Sequence, residues 1–148
     1  MSKSIQVAIV GGGIGGLAAA VALSYRGIQV AVYEQSSVLR EVGAGLFVYP
    51  NSLRQLERIG LGEALARVGA RVGQGSEYYR MDGSVVGKIL TTDSSGWNGM
   101  YGMHRADLLK VLEDAMPAGS IHTGHRCIGF SQDEAGASLT FDNGHVAR

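Results

Sequence analysis

Gly11, Gly13 and Gly16 stand at the spacing G-x-G-x-x-G within Val7–Gly16, VAIVGGGIGG, and Glu34 closes the next apolar run. Residues of these types at this spacing bind a ligand rather than transform one. Gly11 permits a sharp turn, Gly13 lets backbone approach a pyrophosphate, and Gly16 lets a helix lie close against the strand before it. The free N–H groups and the dipole of that helix start, around Ile14 and Gly15, then face the anion. An acidic side chain at the end of the following strand accepts both ribose hydroxyls of an adenosine and repels a 2′-phosphate.

Three elements must position these groups, and the sequence supplies all three. Ile5–Val10 is β-branched and apolar, as a buried strand is. Ile14–Arg26 is rich in Ala and Leu and stops at Gly27, a helix C-cap. Ile28–Tyr33 is a second strand running into Glu34. Two other readings of this region fail. Val7–Leu23 carries no charge and contains Ala18-Ala19-Ala20, in the manner of a signal peptide, but five glycines inside the apolar run argue against it. A membrane span fails on the same glycines. A purely structural glycine turn without a ligand is the remaining alternative.

Composition bounds the partners. The chain has 148 residues, enough for one domain with a real core. Thirteen basic residues balance thirteen acidic ones, and no basic stripe points to nucleic acid. The 23 glycines are scattered through apolar segments, so they read as turns and close approaches and not as low complexity. One cysteine, Cys127, excludes an internal disulfide and fits a reducing cytoplasm. As a lone thiol it reads as a small packed apolar residue.

After Glu34 come a polar loop and a second glycine cluster, Gly43-Ala44-Gly45, which implies another close backbone approach. Leu46–Tyr49 is short and apolar and is broken by Pro50-Asn51, with Asn51 capping a helix over Ser52–Ile59 that Gly60 ends. Glu63–Val68 is a further short helix. Ser76–Met81 and Ser84–Leu90 flank Asp82-Gly83, a two-residue hairpin signal. Thr91–Asn98 is polar and irregular, and Tyr101–His104 is extended. Leu108, Leu109, Leu112 and Met116 mark an amphipathic helix over Arg105–Met116, stopped by Pro117. Ser120–Thr123 suits a third parallel strand, and His125–Ser131 with Ala137–Phe141 a meander that turns at Asp142-Asn143-Gly144.

With those residues in place, the chain resembles the single-component FAD-dependent aromatic-ring monooxygenases, the salicylate hydroxylase-like enzymes. The likeness runs over nearly the whole length, on VAIVGGGIGGLAAA, VYEQ, LREVGAGLFVYPNSLRQLERIGL and MHRADLLKVL. It implies an α/β fold: a Rossmann-like FAD-binding domain, incomplete, with part of an attached β-rich substrate domain. Residues 1–72 and 101–148 then belong to the FAD domain, and the hairpin excursion 73–100 to the substrate side. Gly11, Gly13 and Gly16, with Ile14 and Gly15 between them, hold the FAD pyrophosphate. Glu34 holds the adenosine ribose with Gln35 beside it. The resemblance further implies that Ala44 and Gly45 lie near the flavin and that Arg105 reaches back to the cofactor, with Arg40 in the same region. A guanidinium at a helix start can indeed bridge phosphate or ribityl oxygens. Cys127 enters for its peptide group, passing by the adenine.

The same resemblance implies NAD(P)H and dioxygen as co-substrates and a small aromatic substrate, while the lone cysteine, the balanced charge and the glycines fit a cytoplasmic location with neither nucleic acid nor membrane as partner. Departures from the family pattern carry consequences. Its later Asp-Gly and Gly-Asp motifs have no counterpart here, so the sequence reads as an N-terminal fragment that does not turn over alone and whose open sheet edge favours self-association. No catalytic residue is assigned. His104, His122, His125 and His145 lack metal-ligand spacing and read as surface or structural; Phe47, Tyr49, Trp97 and Tyr101 read as packing or wall. The alternatives are an FAD-dependent dehydrogenase, reductase or oxidase, and a non-catalytic nucleotide-binding module.

Overall fold

A computed structural model of the chain describes residues 6–39, 43–73 and 76–148. In chain order its elements begin with β1 (Val7–Val10), α1 (Ile14–Tyr25), β2 (Val30–Tyr33), β3 (Gly45–Val48), α2 (Pro50–Arg58) and α3 (Gly62–Val68). There follow β4 (Ala70–Arg71), β5 (Glu77–Tyr79), β6 (Val85–Lys88), β7 (Tyr101–His104) and α4 (Arg105–Asp114). The last four are β8 (Ile121–His122), β9 (Cys127–Asp133), β10 (Gly136–Phe141) and β11 (Val146–Ala147). The chain packs as two compact units, Met1–Glu41 with Leu112–Arg148, and Val42–Val111.

The first unit is built on a parallel sheet in the order β1-β2-β8, with Val7 opposite Val30 and Val32 opposite Ile121. All four residues of β2 are buried, as the central strand of a covered parallel sheet must be. Period-2 alternation splits them between two faces. Ala31 and Tyr33 pack with Phe141 and Ala147 of the antiparallel meander β11-β10-β9. On the opposite face α1 buries Leu17, Ala20 and Val21. Its Ala- and Leu-rich sequence favours helix. A Schellman motif ends it: Gly27 at φ 78° donates to Ser24 O, and Ile28 N–H to Leu23 O.

The second unit holds the antiparallel sheet β3-β7-β4, the hairpin β5-β6, and α2 and α3. Leu53, Leu65 and Met100 are fully buried in it. Two local expectations are corrected here. Asn51 does not cap α2: Tyr49 is the N-cap and Pro50 is the first helical residue, without a side-chain cap bond. The fixed φ of proline suits that position, where its missing N–H costs nothing. The hairpin also turns differently. A two-residue type I′ turn needs positive φ at both central residues, yet only Gly83 has it, at 83°. Gly83 N–H bonds Arg80 O and Arg80 N–H bonds Ser84 O, giving the longer loop Met81-Asp82-Gly83. Among the described residues, no helix is long and apolar enough to cross a membrane.

Candidate functional site

In the first unit the glycine run connects β1 to α1, and each glycine there has its own reason to lack a side chain. Gly11 sits at φ 107°, with its N–H on Tyr33 O at 2.8 Å. Gly16 has ordinary φ, but a Cβ on it would run into the carbonyl oxygen of Gly11 and lie 3.4 Å from Ile9 Cγ2. That is the close helix-on-strand approach the spacing demands. Gly13 is the N-cap of α1, in extended backbone with no side-chain cap bond. A Cβ on Gly13 or Gly15 meets nothing within 4 Å. These two glycines face open space, and the first turn of α1 carries no acidic residue to satisfy its amides. The helix start is therefore an uncapped donor set of the kind that takes an anion.

Glu34 is turned toward that loop. Its Oε2 accepts from the Gly12 N–H at 2.7 Å, and its Oε1 from the Ser36 N–H at 2.9 Å. Burial pushes its pKa up, but the backbone N–H groups of Ser36 and Gly12 outweigh it and hold the carboxyl below the usual glutamate value. A carboxylate has about four acceptor sites, so two N–H bonds leave capacity for hydroxyl donors. Gly12 owes its lack of a side chain to this arrangement. Its Cβ would fall 3.0 Å from Glu34 Cβ and 2.7 Å from Leu39 Cδ2.

The segment 122–125 runs beside Glu34. Glu34 N–H donates to His122 O, His125 N–H to Glu34 O, and Gly124 N–H to Ser36 O. Cys127 follows at the start of β9, half-buried, packed against the Tyr33–Phe141 cluster and donating Sγ–H to Gly129 O at 3.4 Å. Gln35 is exposed next to Glu34. So the structure gathers Gly11, Gly13, Ile14, Gly15, Gly16 and Glu34 at one end of the sheet. Sequence reasoning missed Gly12, Ser36 and Leu39; the third consecutive glycine was the available signal.

Tyr33 also organises a ring cluster there. His122 stacks on it at 4.9 Å and 17°, and Phe141 packs at 4.6 Å. His125 stands 5.8 Å from His122 and 5.1 Å from His145. Burial, then the charges of His125 and His145, push the His122 pKa down. Among the described residues, no group of three or more His, Cys, Asp or Glu could hold a metal.

In the second unit Ala44 and Gly45 are exposed, and Ala44 O accepts from the Arg105 N–H at 3.4 Å, where β7 passes into α4. Arg40 lies outside the described residues. Phe47 and Tyr49 are 52% and 47% exposed, so they are not core packing. With Pro50, Asn51, Tyr78 and Asp93 they line a cavity of about 680 Å³. Asp93 fixes one wall of it. Its Oδ1 accepts from Ser95 N–H, Ser95 O–H and Trp97 N–H, and its Oδ2 lies 3.2 Å from Arg54 Nη1.

Residues 4–145 match the model of a family described as FAD binding domain. The 3-hydroxybenzoate 6-hydroxylase of Polaromonas naphthalenivorans is 34% identical over 96% of this chain and 37% of its own length. The salicylate hydroxylase of Pseudomonas putida is 33% identical over 95% of this chain and 33% of its own. Among solved structures, the Klebsiella pneumoniae HpxO complex with FAD and uric acid superposes with a TM-score of 0.74 at 26% identity, over 95% of this chain and 36% of that one. The tetrameric form of 2-methyl-3-hydroxypyridine-5-carboxylic acid oxygenase gives 0.77 at 29%, over 99% and 38%. The chain thus spans about a third of the length of these relatives. The uncapped helix start, the open glycines and the ribose-competent carboxylate fit an adenine dinucleotide, and the chain belongs to the FAD binding domain family found in aromatic hydroxylase-type monooxygenases.

Proposed function

We propose that the chain is the FAD-binding portion of a flavoprotein monooxygenase that hydroxylates an aromatic ring with NAD(P)H and dioxygen. The observation that carries the cofactor reading is the pairing of open, uncapped amides at Gly13–Gly16 with the Glu34 carboxylate beside them. The aromatic-ring reading is supported by what the relatives are named for, a hydroxybenzoate and a salicylate hydroxylase.

In this reading the amides from Gly13 to Gly16 hold the diphosphate, and Glu34 accepts the ribose hydroxyls with Gln35 alongside. The backbone of Cys127 borders the adenine. By the resemblance, Ala44, Gly45 and Arg105 lie on the flavin side, with Arg40 in the same cofactor region. Residues 1–72 and 101–148 serve the cofactor and 73–100 the substrate side, in a cytoplasmic enzyme. FAD, when bound, supplies electron transfer from NAD(P)H and the activation of dioxygen. This chain binds and orients the cofactor.

The test is isotopic. The complete protein carrying this domain, given NADH, a hydroxybenzoate panel and ¹⁸O₂, is expected to yield a hydroxylated product carrying the label. NADH oxidation with a reduced acceptor and no label in any ring would establish a dehydrogenase or oxidase instead.

A further inference from the structure

Gly43 opens the second glycine cluster. What occupies the place of its missing side chain is Arg105. A Cβ on Gly43 would lie 3.2 Å from Arg105 Cβ, 3.6 Å from Cδ and 3.9 Å from Cγ. The aliphatic stem of Arg105 is therefore laid across the bare face of Gly43 along most of its length. Arg105 is held from a second side by the bond from its N–H to Ala44 O.

The nearest atom decides the consequence. Cδ can swing aside through a rotamer change, but Cβ is fixed to the main chain at the point where β7 becomes α4. That main chain is itself bonded to Ala44 and paired through β7, His104 opposite Gly45. A methyl group at position 43 thus displaces either the 43–45 backbone or the root of the arginine, not merely its tip.

We infer that Gly43 is a positioning residue for Arg105: its bare face sets the path along which the guanidinium is presented. The inference rests on the reading of Arg105 as a cofactor residue and adds the device that aims it. It also separates two neighbouring glycines, since a Cβ on Gly45 meets only Met103 O at 3.7 Å, an ordinary contact.

A double-mutant cycle on the full chain tests it, with FAD affinity read from the quenching of flavin fluorescence and folding checked by circular dichroism. Gly43→Ala is expected to weaken FAD binding roughly three- to tenfold, within the range of coupled neighbouring residues. Arg105→Ala is expected to weaken it as well, and the double variant to bind no more weakly than Arg105→Ala alone. Wild-type affinity in Gly43→Ala, or an equal loss from it in the Arg105→Ala background, overturns the inference. If Arg105→Ala itself leaves affinity unchanged, the arginine has no cofactor role and the inference falls with it. The reading of the glycine loop is judged separately, by Gly13→Ala.

Discussion

Glu34 Oε2 accepts the Gly12 N–H at 2.7 Å, so the carboxylate proposed for the ribose and the loop proposed for the diphosphate are joined directly. In that proposal the two parts of the site are held in register by the protein, which lowers the ordering cost of binding. Hydrogen bonds to a charged acceptor are each worth about 1.5–3 kcal/mol.

Glu34→Gln keeps the shape of the side chain but removes the charge and one acceptor. It should weaken FAD binding by about tenfold or more, the equivalent of losing one such bond. It should also lower the thermal midpoint of the ligand-free chain, because the Gly12 and Ser36 amides lose a charged partner. Equilibrium FAD titration and a melting curve measure the two effects. A loss of affinity without loss of stability would mean that the loop is held by other contacts.

The glycines separate into two kinds of variant. Gly16→Ala drives a Cβ into the Gly11 carbonyl, a backbone atom that cannot swing away, and should destabilise the chain by at least about 1–3 kcal/mol. Gly13→Ala fills only open space. Its effect on stability should stay within about 1 kcal/mol, the usual N-cap difference, while FAD binding falls. Urea denaturation and FAD titration on both variants would expose a reversal of this order.

The pattern of legibility follows from where the information lies. The glycine turn, α1 with its Gly27 end, β8 as third parallel strand and α4 were readable because each depends on a short run of residues. The Gly12–Glu34 bond, the Tyr33 ring cluster and the Arg54–Asp93 contact were not. They join residues far apart in sequence, whose meeting is decided by the sheet and not by local propensity. Pro50 and Asp82-Gly83 show a second limit. The residue types marked a helix start and a turn correctly, but the backbone angles chose proline as the first helical residue and a loop longer than two residues.

Mild acid should act on the first unit through His122. Its pKa is held below 6.5 by burial, and by His125 and His145 once they charge; Tyr33 and Phe141 supply no compensating anion within the cluster. The unfolded chain then takes up the proton more readily than the folded one. The stability contribution is complete above pH 6.5 and is lost as the pH falls toward the lowered folded value. Glu34, also lowered, loses its contribution only further down, below 4.5. Melting curves across mildly acidic pH should show the first loss, and His122→Phe, which keeps a ring against Tyr33, should flatten it. An unchanged slope in that variant would assign the effect elsewhere.

Asp93 should govern the order of the 91–98 loop. Asp93→Ala removes the acceptor for the Ser95 and Trp97 amides and the partner of Arg54. Those two amides should exchange hydrogen faster, while the β1-β2-β8 sheet keeps its protection. Uniformly faster exchange through both units would instead indicate a global loss of stability.

The amides that open α1 and the carboxylate that closes β2 are proposed to grip the same dinucleotide, and a crystal structure of the chain with FAD examines this directly. The account predicts pyrophosphate oxygens about 2.7–3.2 Å from the amides between Gly13 and Gly16, with Glu34 on the ribose hydroxyls. An empty glycine turn with adenosine bound elsewhere, or a Glu34 directed away from the sugar, would contradict it.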